Sequence, residues 1–100
     1  MPKYIRAVYV PAANYAENFT IDLPRGAEIF NIGPYGRDFT PALYLLVEHG
    51  TKELETRTFR AAYLSSEIGD FTGEAVLLPD VTYRYIGDMD NRLMLFEVLE

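Results

Sequence analysis

The chain has 100 residues, of which 49% are hydrophobic and 24% charged, and its formal net charge is −6. This size and balance are typical of a single folded domain and argue against disorder. The chain has no cysteine, which excludes disulfides, thiolate zinc sites and cysteine nucleophiles and fits a reducing compartment. We therefore expect one domain, residues 1–100, in the cytoplasm.

The negative charge is concentrated in the second half. Residues 1–50 carry four Lys or Arg against five Asp or Glu, and residues 51–100 carry five against ten. Binding nucleic acid through its phosphates needs a basic surplus, so no nucleic-acid partner is expected. No apolar run approaches the length of a membrane span and no basic-then-apolar leader is present, so no membrane partner is expected either. The charge is compatible with a basic protein partner, or it serves solubility alone.

Short runs of strand-forming residues follow one another along the whole chain. Loops rich in glycine and proline separate them, and no amphipathic segment has the length of a helix. Ser65 can cap at most one short helical turn. The predicted strands are residues 3–10, 18–23, 27–32, 42–47, 55–63, 74–78, 81–86 and 92–99. This spacing predicts an all-β or nearly all-β fold, a mainly antiparallel sandwich or small barrel of about 7–8 strands.

The strand at 18–23 shows the clearest alternation. Phe19, Ile21 and Leu23 are predicted to point inward, and the residues between them outward. Residues 23–26 follow as a predicted type I turn, because proline occupies its second position and glycine its fourth.

The segment from residue 41 to residue 63 predicts a hairpin. Residues 42–47 are all apolar, which favours a strand covered on both faces. A loop containing Gly50 leads to residues 55–63, and strands joined by a short loop are expected to pair antiparallel. Phe59 is predicted to pack against the apolar run, while the face bearing Arg60 is predicted to meet water.

The last predicted strand is apolar on both faces, interrupted only by Glu97. Because an exposed edge strand of this composition would invite aggregation, we expect it to be central in its sheet or covered by a second subunit.

Several motifs along the chain match a recurring pattern: a turn LPRGA at 23–27, strands at 29–32 and 43–48, RTF at 57–59, YIGD at 85–88 and FE at 96–97. This pattern resembles that of a family of short, uncharacterised phage and bacterial domains with an LP-x-GA turn and a terminal strand ending in FE. Tyr44 stands where that family has tryptophan, and the glycine-rich GTG after the charged strand is replaced by residues 62–65. The resemblance implies a phage or bacterial setting and no known activity.

No residue set predicts catalysis. His49, the single histidine, lies in a polar turn without a suitable partner, and one histidine cannot form a zinc site. Asp88 with residues 90–91 could bind a hard cation but is typical of a turn. The serines at 65–66 and the carboxylates at 67–74 lack a base and a diagnostic spacing. We predict no cofactor and no metal, and we regard an enzyme as less well supported than a binding protein.

The eight tyrosines are the strongest functional indication. Tyrosine and arginine are enriched at binding hot spots, although tyrosine also suits half-buried sheet positions. The predicted binding residues are Tyr35, Arg37, Tyr83 and Tyr85. They predict a non-catalytic accessory protein that acts by protein–protein interaction or self-association. The alternative is a small-molecule or nucleotide binder, or a small enzyme, that uses the loop at 33–38, whose backbone N–H groups could meet an anion, and the carboxylates at 67–74.

Overall fold

The computed structural model describes residues 2–11, 17–63, 77–89 and 93–99. These residues form seven strands and no helix. The strands are β1 (Lys3–Tyr9), β2 (Asn18–Pro24), β3 (Glu28–Tyr35), β4 (Thr40–Glu48), β5 (Leu54–Tyr63), β6 (Thr82–Asp88) and β7 (Leu93–Leu99). The all-β prediction is confirmed.

The strands form two antiparallel sheets. The first sheet has the order β1-β4-β3 and the second the order β2-β5-β7-β6. The sheets pack face to face, and no ladder joins them within the described ranges, so the sandwich is the architecture found.

The core lies between the two sheets. Its fully buried large side chains come from β2, β4, β5 and β7, and they are Leu23, Leu43, Leu45, Val47, Phe59 and Leu95. The inward alternation predicted for β2 is confirmed, since Ile21 and Leu23 are buried and Phe19 packs against the same cluster. Phe59 joins Leu43, Leu45 and Val47 there, as predicted.

The predicted hairpin between β4 and β5 is wrong. β4 pairs with β1 and β3, whereas β5 pairs with β2 and β7. The loop between them, which contains Gly50 at φ +91°, carries the chain from one sheet to the other. Both strands thereby become central, which buries the apolar residues of each more completely than a two-stranded hairpin could.

The face of β5 that bears Arg60 was predicted to meet water, and this is confirmed at Thr56, which is exposed, but wrong at Arg60. Arg60 is only 9% exposed, and its Nη1 donates a hydrogen bond to Asn18 Oδ1 at 3.2 Å. The guanidinium of Arg60 thus reaches across to the neighbouring strand β2 instead of into solvent.

Two local boundaries differ from the predictions. The turn begins one residue later, because Ala27 N–H donates to Pro24 C=O at 3.1 Å. Gly26 is then its third residue, with φ +75°, as a type II turn requires rather than type I. The loop predicted at 33–38 is also shorter, because β3 continues to Tyr35; Pro34 is tolerated there since β3 is an edge strand.

The C-terminal strand β7 lies between β5 and β6, so it is central, one of the two predicted arrangements. Of the strand predicted at 74–78, residues 74–76 lie outside the described ranges, and Leu77 and Leu78 are not in a strand. The helical turn predicted at Ser65 also lies outside them.

Candidate functional site

The outer face of the first sheet is rich in tyrosine. The pairing register aligns Ile5 with Leu46, Tyr9 with Ala42 and Tyr35 with Thr40. These side chains point away from the core, because Leu43, Leu45 and Val47 occupy the alternate positions of β4 and are buried. We call this surface the tyrosine face and define it by Ile5, Tyr9, Tyr35, Tyr44 and Leu46. Ile5 is 66% exposed, Tyr9 51% and Tyr35 49%, and among the described residues no element packs over it.

Small residues beneath the rings let them lie close to the sheet. A Cβ atom at Gly33 would lie 3.2 Å from the Tyr44 ring, and one at Gly36 would lie 2.5 Å from Tyr9 Oη. Tyr44 Oη donates a hydrogen bond to Pro34 C=O at 2.6 Å. The Tyr9 and Tyr35 ring centroids are 5.5 Å apart at an interplanar angle of 53°. The three rings therefore form a fixed aromatic surface across three strands.

The tip of the β3–β4 hairpin, residues 36–39, borders this surface. Phe39 N–H donates to Gly36 C=O at 3.3 Å, which closes a four-residue loop that also exposes Arg37. Phe39 has φ +52° and is 74% exposed. A left-handed backbone costs a bulky residue about 1–2 kcal/mol. Because the ring is exposed, its packing offsets little of that cost. Such strain is typical of functional positions.

A small cleft of about 250 Å³ lies beside the hairpin tip. Its lining is mainly apolar and joins β3, the start of β4 and the end of β6 through Ile32, Gly33, Pro34, Phe39, Pro41, Asp88 and Met89. It is smaller than the roughly 300–1,000 Å³ typical of small-molecule sites. Arg37, one of the predicted binding residues, does not line it.

A second aromatic cluster lies on the second sheet. Phe96 on β7 contacts Tyr83 at a centroid distance of 6.0 Å and Tyr85 at 5.6 Å. Tyr85 Oη donates a hydrogen bond to Asp88 Oδ1 at 2.6 Å. This bond raises the pKa of Tyr85, because ionisation would break it and bring two negative charges together. The hydroxyl of Tyr85 is thus already engaged within β6.

The four predicted binding residues do not form one site. Tyr35 and Arg37 belong to the first sheet and its hairpin tip, whereas Tyr83 and Tyr85 lie on the outer face of the second sheet. The sequence interpretation missed Tyr9 and Tyr44 as neighbours of Tyr35, because β4 must lie between β1 and β3 to align them. It also missed Phe39. An apolar ring directly after Asp38 in a loop was the signal that could have identified it as an exposed contact residue.

A charged cluster with a buried carboxylate lies on the core side of the second sheet. Glu97 is 5% exposed and receives hydrogen bonds from Arg57, with Nε to Oε2 at 2.7 Å and Nη2 to Oε1 at 2.8 Å. Arg84 also donates to Glu97 Oε1. Arg57 Nη1 donates to the carbonyl of Ala27 at 2.7 Å. We call Arg57, Arg84 and Glu97 the Glu97 cluster; its groups satisfy one another, as a structural ion pair requires.

The cluster favours the ionised forms of Glu97 and Arg57. Burial alone would raise the pKa of Glu97, but the hydrogen bonds and charges of Arg57 and Arg84 outweigh it and lower that pKa. The hydrogen bond to Glu97 raises the pKa of Arg57. A carboxylate held in its charged form by two arginines is a poor general acid or base at neutral pH, so the cluster is suited to holding three strands together.

The remaining candidates for catalysis or metal binding form no site among the described residues. His49 is exposed in its turn, as predicted. Residues 65–74 and 90–91 lie outside the described ranges. Within those ranges, no group of three or more His, Asp or Glu residues is placed to hold a metal ion. The part of the chain that the structure describes also has no helix that is long and apolar enough to cross a membrane.

Comparisons with protein-family models, with curated proteins and with solved structures found no match to this chain. The resemblance to the phage and bacterial domains therefore stays a prediction.

Proposed function

We propose that this protein is a non-catalytic binding protein that acts through the tyrosine face, by contact with a protein partner or by self-association. The observation that carries the proposal is the exposure of Ile5, Tyr9 and Tyr35 on one fixed surface. Folding alone favours the burial of such side chains, whereas interfaces are enriched in tyrosine and arginine.

The hairpin tip adds two features that suit a contact site. Arg37 is exposed beside Tyr35, and Phe39 is held at positive φ although its ring is exposed. Rigid rings lose little conformational entropy on binding, which makes them effective anchors. We therefore extend the proposed contact surface from the tyrosine face to residues 36–39.

The second aromatic cluster supports binding less well. Its rings pack on Phe96, and the hydroxyl of Tyr85 is engaged by Asp88. The alternative of small-molecule or nucleotide binding at the loop 33–38 also has less support, because the cleft beside the hairpin tip is small and contains one carboxylate, Asp88, and no cation. The phage or bacterial setting and the cytoplasmic location belong to the proposal; they are supported by the motif resemblance and the absence of cysteine.

The experiment is affinity capture from bacterial lysate with the immobilised protein. A partner bound through the tyrosine face should be captured by the wild type and lost with the double variant Tyr35→Ala, Arg37→Ala. Because both side chains are exposed, the melting temperature of that variant should change little.

Tyr85→Ala is the matched control, since Tyr85 is as exposed as Tyr35 but lies on the other sheet. Capture should survive this substitution. Loss of capture with Tyr85→Ala but not with the double variant would place the contact site on the second sheet. Capture unchanged in both variants would exclude both surfaces as the contact site.

A further inference from the structure

Among the described residues, no strand pairs with the outer edge of β1. The register of β1 against β4 continues at both ends, where His49 N–H donates to Pro2 C=O at 2.8 Å and Val10 N–H donates to Pro41 C=O at 3.0 Å. Hydrogen-bonded residues alternate along an antiparallel strand. The even-numbered residues of β1 therefore face β4, and Lys3, Ile5, Ala7 and Tyr9 direct their N–H and C=O groups toward the open edge.

The three other edge strands carry features that hinder strand addition. β2 contains Asp22 and ends at Pro24. β3 has a register shift between Ile29 and Asn31 and contains Pro34, and β6 has a register shift at Ile86. Bulges, prolines and charges are the usual protection of sheet edges. β1 has no proline and no register shift, so its protection is limited to the charges of Lys3 and Arg6.

We infer that β1 pairs antiparallel with β1 of a second copy of this chain, about a two-fold axis at Ala7; this rests on the proposed function and specifies its self-association. Centring the axis on Arg6 would place two arginines directly opposite each other, which is unfavourable. Centring it on Ala7 places Ile5 opposite the partner's Tyr9, and Tyr9 opposite the partner's Ile5. A β-branched residue facing an aromatic residue is a favourable cross-strand pair.

This register also covers the most exposed apolar side chains of β1. Ile5 is 66% exposed and Tyr9 51%, and each would gain an apolar neighbour on the outer face. Ile5, Ala7 and Tyr9 would each complete their backbone hydrogen bonds. The result is a six-stranded sheet in which the tyrosine faces of the two copies are continuous. Because each copy carries a net charge of −6, dimerisation should strengthen as added salt screens the repulsion.

The test measures the mass of the purified protein by sedimentation equilibrium over a concentration series. The wild type should be a dimer, and Ala7→Pro should weaken dimerisation at least tenfold. Proline at residue 7 removes an N–H that points to the open edge, so no bond to β4 is lost. Thr20→Pro is the matched control: Arg25 N–H donates to Glu53 C=O at 2.9 Å, so by the same alternation the N–H of Thr20 points away from β5. This variant should dimerise as the wild type does.

Two further variants keep the test decisive should Ala7→Pro fail to fold. Ile5→Lys alters an exposed side chain and should also weaken dimerisation, because it removes the apolar contact with Tyr9. Ala7→Cys introduces the only cysteine, and paired Cα atoms about 5.5 Å apart are within disulfide range. On oxidation it should give a covalent dimer, whereas Thr20→Cys should not.

A wild type that is monomeric up to about 1 mM, or a dimer unaffected by Ile5→Lys and not cross-linked through Ala7→Cys, overturns the inference. These measurements use the purified protein alone, so capture of a lysate partner that depends on Tyr35 and Arg37 would leave the proposed function intact while the dimer fails.

Discussion

The two sheets differ in what they direct toward the core. The central strand of the first sheet, β4, directs only apolar side chains toward the core, namely Leu43, Leu45 and Val47. The second sheet contributes Phe59 and Leu95 but also the buried Glu97 with its arginines. The first sheet is therefore held by apolar burial, which does not depend on pH and leaves its outer rings free for contacts. The second depends in addition on a carboxylate that must stay ionised.

Phe59→Ala tests the part of the core that both sheets share. Phe59 is fully buried against the apolar residues of β4, so truncation should lower the free energy of unfolding by about 3–5 kcal/mol. Urea denaturation would measure this. Phe19→Ala is the matched control, since Phe19 stacks on Phe59 at 6.1 Å but is only partly buried, and its loss should be smaller. A loss below about 1 kcal/mol for Phe59→Ala would contradict the packing of the sheets.

Glu97→Gln tests the charged part of the second sheet. It leaves Arg57 in place without its counter-ion, and breaking a buried ion pair in this way costs about 3 kcal/mol or more. Arg84→Ala is the control, because the Arg84 side chain is 51% exposed and its loss should cost at most about 1 kcal/mol.

Replacing the pair together sharpens the comparison. Arg57→Met with Glu97→Leu would remove the two buried charges of the cluster and leave only Arg84, whose side chain is 51% exposed, so it should recover most of the stability that Glu97→Gln loses. Equal losses for the single and the double variant would show that the cluster contributes through geometry that apolar side chains cannot replace.

The strands themselves could be predicted from the sequence more reliably than their partners. The alternation of Phe19, Ile21 and Leu23 is local, and it was enough to predict which face of β2 is buried. The pairing of β5 with β2 and β7 joins residues far apart in sequence, so it depends on how two sheets best bury their apolar faces. Local turn signals instead favoured a hairpin with β4.

The candidate site was only partly predictable for the same reason. Tyr35 and Arg37 stood out by composition and position, but Tyr9 contacts Tyr35 only because β4 lies between β1 and β3 and aligns the two rings. The contact of Glu97 with Arg57 likewise depends on the register between β5 and β7. Contacts that are set by the register between strands cannot be predicted from the sequence of any one segment.

Acid should destabilise the second sheet through Glu97. Its pKa is lower in the folded protein than the ordinary value of 4.5, so its stabilising contribution is complete above that value and is lost as the pH falls through the folded pKa. The stability difference between wild type and Glu97→Gln should be constant near neutral pH and shrink below about pH 4.5. Urea denaturation at several pH values would measure it, and a difference independent of pH would contradict the assigned charge.

Phe39→Gly is expected to have the smallest effect on stability, and the opposite sign. Glycine removes a left-handed strain of about 1–2 kcal/mol but adds about 0.5–1 kcal/mol of unfolded-state entropy. Since the Phe39 ring is 74% exposed, little packing is lost, and the net result should be a gain of up to about 1 kcal/mol. Thermal denaturation would measure it.

Phe30→Gly is the control for that gain. Phe30 is 49% exposed on β3, but its φ is not positive, so glycine there relieves no strain and should destabilise by at least about 0.5–1 kcal/mol, because the buried half of the ring is lost as well. Equal losses at the two positions would show that Phe39 carries no strain that glycine relieves. If Phe39→Gly is instead more stable and captures its partner less well, the first sheet gives up stability at the hairpin tip to hold an exposed ring in place, which is the trade expected of a contact site.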